Sequence, residues 1–268
     1  MAGIQHSDCH LAIRAEQGRF SLALQDATNF HLRSFNAFEW TTVAGLSTLE
    51  NYLKDFEHLA SAKSIVCSIN TFANTLIPEA IYQEKNRALY LGFNFETNEE
   101  QNYAADPLPL LDAMNVYQLP DYCQIISKYF PKTRFVHESG VQIELALRLS
   151  RLNQKDAAFL FFSEKFFRLC IVQNGTLQFC NTFSHQSEMD VAYYVLYVFD
   201  QLHLKSSEIQ TFASGDIEIN DAIIDMLRDY IGPIQLLRTC SLAELALSEE
   251  EHHSAHRNFT LFHQALCV

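Results

Sequence analysis

His6, Cys9 and His10 stand close together near the start of the sequence, and His252, His253 and His256 do the same near its other end. Thiolates and imidazoles are the donors of zinc and copper sites, but such sites need a spacing that turns the donors toward one point. Neither set has one. The first lies at the chain start and the second follows Glu249-Glu250-Glu251, so both are expected to be solvated segments, and no metal site is expected. The seven cysteines, at 9, 67, 123, 170, 180, 240 and 267, include no Cys-x-x-Cys pair, and an odd number cannot close completely within one chain. They read as reduced, mostly buried thiols. No serine or cysteine occupies a nucleophile turn. The eight glycines spell neither Gly-x-x-x-x-Gly-Lys-Ser/Thr nor Gly-x-Gly-x-x-Gly, which disfavours a P-loop or a dinucleotide cradle. No residue set gives a positive signal for an enzyme, and no catalytic residue is assigned.

The elements that would position any site must come from the remaining pattern. Of 268 residues, 48% are hydrophobic and 19% charged, with 21 phenylalanines, the composition of a packed globule. A net charge of -13 repels phosphate backbones and anionic lipid surfaces, so nucleic acid is a poor partner. No stretch approaches the roughly 20 apolar residues of a membrane span, and Met1-Ala2-Gly3-Ile4-Gln5-His6 lacks a basic region followed by an apolar one. A cytoplasmic location is expected.

The clearest organisation is a duplication. Laying the segment from Leu11 over the segment from Ala158, a shift of 147 residues, brings Phe20, Leu22 and Leu24 onto Phe167, Leu169 and Ile171, and Phe30 and Leu32 onto Leu177 and Phe179. A period of two is kept across two successive strands. In the second copy, 158–162 is an apolar strand, Ser163-Glu164-Lys165 a turn, and 166–173 a strand that runs into the hairpin signal Asn174-Gly175. A two-residue loop there sets Cys170 opposite Phe179 and Cys180 opposite Leu169, so the two cysteines are not expected to pair. Ser187 and Asp190 resemble a capping box ahead of a helix that is apolar almost all round through Tyr193, Leu196, Tyr197 and Phe199, which predicts burial between layers. A strand over 209–214, a helix over 220–231 stopped by Gly232-Pro233, and a strand over 234–237 follow. Ser241 and Glu244 suggest a second capping box, and the chain closes with an apolar run over 261–266.

The first copy repeats the plan with strands near 10–16, 19–25 and 30–35, a helix over 48–59 and a strand over 64–69. Between the copies lies an excursion in which Asp106-Pro107-Leu108-Pro109 reads as a turn and Pro120-Asp121 opens a helix to Phe130. A strand over 134–137 and a helix over 141–152 lead into the second half. The expected division is 1–152, with an inserted segment near 85–118, and 153–268.

In this order of elements, and through Thr71-Phe72-Ala73-Asn74-Thr75-Leu76-Ile77-Pro78-Glu79-Ala80, Asp190-Val191-Ala192-Tyr193-Tyr194 and Ser214-Gly215-Asp216-Ile217, the chain resembles a bacterial domain-of-unknown-function family with an actin-like ATPase fold. The resemblance implies an α/β protein of two ribonuclease H-like subdomains, each a mixed sheet with a three-stranded antiparallel meander and flanking helices. Working members of that superfamily hold metal and phosphate with an Asp on the first strand of each half and a glycine-rich hairpin beside it. Here the hairpins read Arg14-Ala15-Glu16-Gln17-Gly18-Arg19 and Phe161-Phe162-Ser163-Glu164-Lys165-Phe166, without that Asp-x-Gly order, and the adenosine turn is represented by Gly215 and Asp216. Glycine loss takes away both space and flexibility for a phosphate. A two-metal nuclease would need a first-strand Asp, which 158–162 does not offer.

The resulting expectation is a non-catalytic pseudo-ATPase with no cofactor, acting through a protein partner or self-association. Its alternative is a divergent Mg-ATP-binding protein or ATPase using Glu16, Gln17, Gly18, Ser163, Glu164, Lys165, Gly215 and Asp216 around a cleft between the halves.

Overall fold

The computed structural model describes residues 6–39, 45–98, 100–238 and 255–267. The chain divides into two compact units, one built from 6–141 with 261–267 and the other from 142–238 with 255–260.

In the first unit β1 (Cys9–Glu16), β2 (Arg19–Asp26) and β3 (Leu32–Glu39) form an antiparallel meander. α1 (Gly45–Asp55) and a short 3-10 helix (Glu57–Ser61) lead to β4 (Ser64–Ile69), which pairs parallel with β1. The chain then builds a separate antiparallel sheet in the order β5-β7-β6 from β5 (Asn74–Pro78), β6 (Asn102–Leu108) and β7 (Ala113–Leu119), with α2 (Arg87–Gly92) between the first two strands in sequence. α3 (Tyr122–Tyr129) precedes β8 (Thr133–His137), which lies parallel to β4 and completes the order β3-β2-β1-β4-β8. α4 (Glu138–Asn153) follows directly. β1 and β2 are buried almost throughout because Leu11, Ile13, Phe20, Leu22 and Leu24 pack in one core with Leu49 and Leu53 of α1 and Ile126 of α3. Gln264 closes the junction between β1 and β4, its Nε2 donating to Ile13 O at 3.1 Å and Val66 O at 2.9 Å.

The second unit repeats the arrangement with β9 (Ala157–Phe162), β10 (Phe166–Gln173), β11 (Thr176–Ser184), α5 (Glu188–Gln201), β12 (Gln210–Gly215), α6 (Ala222–Ile231) and β13 (Ile234–Leu236). Its order is β11-β10-β9-β12-β13, with β12 parallel to both of its neighbours. α7 (Phe259–His263) is short. The capping box of α5 is complete: Asp190 N donates to Ser187 Oγ, and Ser187 N donates to Asp190 Oδ2. Asn174 (φ 51°) and Gly175 (φ 68°) both take the left-handed backbone that a two-residue hairpin loop requires.

The duplication is reproduced in the backbone. β2 and β10 are 147 residues apart end to end, and both ladders with the following strand slip at equivalent places, between Leu24 and Gln25 and between Ile171 and Val172. Beyond the slip Leu24 faces Ser34 while Ile171 faces Phe179, so the third strands are equivalent at two residues less than the original step. The first hairpin loop is two residues longer. A two-residue difference leaves an alternation of period two unchanged, which is why the repeat reads as gapless in sequence.

Four expectations are corrected. The slip leaves Gln178 as an extra residue on β11, and this moves Cys180 directly opposite Cys170. α5 is not enclosed: Met189, Tyr193 and Tyr197 are exposed at 63%, 61% and 52%, while Val191, Val195 and Val198 face the core. Asp106, Pro107 and Leu108 end strand β6 instead of forming a turn; β6 is an edge strand, the place in a sheet where proline is tolerated. The third strand starts at Leu32, because Phe30 has a positive φ of 59° in the loop before it. The expected second capping box lies outside the described residues.

Gly215 stands where the fold leaves no room for a side chain. It has φ +94°, and a Cβ there would stand 2.0 Å from Phe162 O, against the paired strand itself. Gly215→Ala must part β12 from β9, and the expected outcome in urea unfolding is loss of a stable second unit, well beyond the roughly 1–2 kcal/mol of left-handed backbone strain alone.

Candidate functional site

Open α/β sheets bind ligands at the carboxyl ends of their parallel strands. In the first unit those ends belong to β1, β4 and β8, and they present Glu16, Asn70 and Glu138. Arg14 shares a strand face with Glu16 and is only 5% exposed, beside a Glu138 that is 2% exposed. Its Nε donates to Glu138 Oε2 at 3.0 Å, and its Nη2 lies 3.3 Å from Glu16 Oε2. Asn70 Nδ2 donates to the same Glu16 oxygen at 2.8 Å, and Arg19 Nη1 approaches Glu16 Oε1 at 3.4 Å. Gln17 is exposed in the turn, and Gly18 supplies the positive φ of 86° that the turn needs. The structure therefore brings Glu16, Gln17 and Gly18 together, but engages the Glu16 carboxylate with two guanidinium groups and an amide.

Beside this edge lies a buried polar network. Asp106 accepts from Tyr117 Oη at 3.0 Å and from the His137 backbone N–H at 2.6 Å. Burial pushes the Asp106 carboxyl up to about 7, overcoming these two bonds and the charge of Arg134, which act to lower it. The His137 ring sits between Ser139 and Thr71: Ser139 N donates to Nδ1 at 3.2 Å and Ser139 Oγ is 2.6 Å away, while Nε2 is 3.0 Å from Thr71 Oγ1. Because Nδ1 accepts from a backbone N–H, Nε2 carries the ring proton and Thr71 accepts it. Asn115 Nδ2 donates to Ser139 Oγ at 3.0 Å, and Asn74 Nδ2 to Asn115 Oδ1 at 2.9 Å. This network ties β5, β6 and β7 to the end of β8.

In the second unit, Gly215 pairs with Phe162, and Asp216 N donates to Phe162 O at 3.0 Å, so Ser163, Gly215 and Asp216 gather at the ends of β9 and β12. Ser163 is buried, and its N–H is committed to Phe166 O at 2.8 Å. Glu164 and Lys165 are exposed in the hairpin turn. His256 is 1% exposed, with Nε2 2.8 Å from Ile217 O, so the expected solvated character fails for this residue; His252 and His253 lie outside the described residues. Cys9 and His10 occupy successive positions of β1 and so face opposite sides, and His10 Nδ1 is 2.6 Å from Ser64 Oγ. Among the described residues no cluster of three His, Cys, Asp or Glu could hold a metal ion.

Sequence reasoning missed Arg14, Glu138, Asn70, Asp106 and His137. A signal for Arg14 was present: a charge in the middle of an apolar strand needs a buried partner. Its partner, 124 residues away, carries no local mark.

A family model described as "Protein of unknown function (DUF3822)" matches residues 2–234. No curated protein matches. Among solved structures, a Bacteroides thetaiotaomicron protein with actin-like ATPase fold and unknown function superposes with TM-score 0.78 at 20% identity, covering 88% of this chain and 93% of the other. A chain of a PilM-PilN type IV pilus biogenesis complex gives 0.67 at 9% identity, with coverages of 94% and 96%. The cytoplasmic domain of EpsL, an inner membrane component of the type II secretion system of Vibrio cholerae, gives 0.51 at 10%, with coverages of 97% and 95%. The chain has the actin-like ATPase fold. No helix among the described residues is long and apolar enough to cross a membrane.

Two outcomes follow from the buried charges. Arg14→Met removes a buried guanidinium from beside Glu138 and is expected to cost about 3–5 kcal/mol in denaturant unfolding, most of it restored in the double variant Arg14→Met/Glu138→Met. Asp106 has a folded pKa raised above its unfolded value, so its contribution is present below the unfolded pKa and lost as pH rises through the folded one. The melting temperature should fall between about pH 4 and about pH 7. That slope should flatten in Asp106→Asn, which can accept from the His137 amide and donate to Tyr117 Oη.

Proposed function

The chain belongs to the DUF3822 family, described as a protein of unknown function, and from that premise we propose that it is a non-catalytic actin-like-fold protein that acts by binding another protein. The observation that carries this reading is the state of Glu16. It stands at the end of the first strand, the strand on which working members of the superfamily carry their metal-binding Asp, and here its oxygens are engaged by Arg14, Arg19 and Asn70. A magnesium-nucleotide would have to break these bonds before gaining any of its own. The other candidate glycine, Gly215, is spent on the close approach of β12 to β9.

Support for a protein partner comes from α5. Met189, Tyr193 and Tyr197 recur every four residues on its exposed face, and the two tyrosine rings stack with centroids 6.1 Å apart. Tyr230 is exposed on α6, which packs against α5. Tyrosine and methionine are enriched in protein interfaces, tyrosine for its large contact area at little entropic cost and methionine for its adaptable, polarizable side chain. A structure with this fold forms part of the PilM-PilN complex, so the scaffold is compatible with such a role.

Thermal unfolding with Mg-ATP tests the reading. A nucleotide present at about 100 times its Kd adds roughly 2.7 kcal/mol, which for a chain of this size is a rise of roughly 5–10 °C in Tm. The expected result is no rise at millimolar Mg-ATP. A rise of that size would replace the proposal with a divergent ATP-binding protein using Glu16, Gln17 and Gly18 or Ser163, Glu164, Lys165, Gly215 and Asp216.

A further inference from the structure

Cys170 in β10 and Cys180 in β11 are directly opposed in an antiparallel ladder, and their Sγ atoms are 3.2 Å apart. Directly opposed residues in such a ladder have Cα atoms about 4.5 or about 5.5 Å apart, and both values lie inside the window of about 4.4–6.8 Å that a disulfide accepts. The two sulfurs therefore need only side-chain rotation to reach bonding distance. The register that opposes them is created by the extra residue Gln178. In the first unit the same ladder position is held by Ala23 and Phe35, so the pair is not a requirement of the fold.

We propose that Cys170 and Cys180 are a redox modification site, closing reversibly to a cross-strand disulfide in response to a peroxide. The two thiols divide the work. Cys180 is half-buried on the edge strand β11, whereas Cys170 is buried on the adjacent inner strand. The hydrogen bond between the two sulfurs, aided by the charge of Arg168, draws the Cys180 thiol below its ordinary range against the opposing effect of burial, while burial raises that of Cys170. Cys180 is the attacking sulfur. Its thiolate takes one oxygen of hydrogen peroxide as the O–O bond breaks; the sulfur is oxidised by two electrons to a sulfenic acid, and the departing hydroxide takes a proton to become water. The Cys170 thiol then attacks that sulfur, the S–S bond forms as the S–O bond breaks, and the leaving hydroxide departs with the Cys170 proton as a second water. Two thiols and one peroxide yield one disulfide and two waters. A dithiol reductant reverses the change by exchange.

Arg168 and Lys205 bound a single tryptic peptide that contains both cysteines and no other. The folded, fully reduced protein is exposed to hydrogen peroxide, its remaining thiols are alkylated in denaturant, and the digest is weighed. The expected peptide is two hydrogens lighter than the reduced form, carries no alkyl group, and regains both labelling sites after dithiothreitol. In Cys170→Ser, dimedone should trap Cys180 as its sulfenic acid adduct; in Cys180→Ser, Cys170 should remain alkylatable. The wild-type measurement is decisive without either variant. Full alkylation of the peptide after peroxide exposure that oxidises free dithiothreitol, or a bridge from either residue to any other cysteine, overturns the proposal.

Discussion

A guanidinium sealed inside an apolar strand has to be answered where it stands, and the edge of the first sheet is arranged around that requirement. Arg14 sits in β1 between Ile13 and Ala15, both fully buried. Withdrawing its charge from water costs several kcal/mol that only opposite charge and good hydrogen bonds can offset. Glu138 supplies the first of these from the residue after β8, and Glu16 the second from the end of β1 itself. Asn70, just past β4, completes the set by holding Glu16. The ends of three strands are thereby joined by one electrostatic demand.

The architecture was legible to the extent that it rests on local pattern. β4 and β10 coincide with the expected spans, and the Ser187–Asp190 capping box is formed by both of its bonds, because each depends on residues within a few positions of one another. What failed depended on things with no local signature. The opposition of Cys170 to Cys180 is set by one extra residue in a strand, which alternation does not announce. The tyrosine face of α5 was misread because an aromatic ring contributes to an apolar pattern whether it is buried or exposed.

The site was less legible than the fold for a related reason. Glu16, Gln17 and Gly18 could be located from the hairpin alone, and so could Ser163, Glu164 and Lys165. Their chemistry is decided by Arg14, Arg19, Asn70 and Phe162, which reach them through strand pairing and side-chain placement. The same holds for Asp106: its acidity depends on burial next to Tyr117 and His137, which β7 and β8 bring to it. A carboxylate in sequence is only a candidate until its surroundings are known.

The matching slips in the two hairpins speak to descent. A bulge belongs to the backbone and is retained within families while side chains turn over. Here it falls after Leu24 in one copy and after Ile171 in the other, at the same step along β2 and β10, although the loops that follow differ in length. A single hairpin carrying the irregularity, copied once, would account for both slips. The longer loop of one hairpin and the cysteine pair of the other are set on the same kink, so the two hairpins differ in side chains and loop length while sharing one irregularity of the backbone.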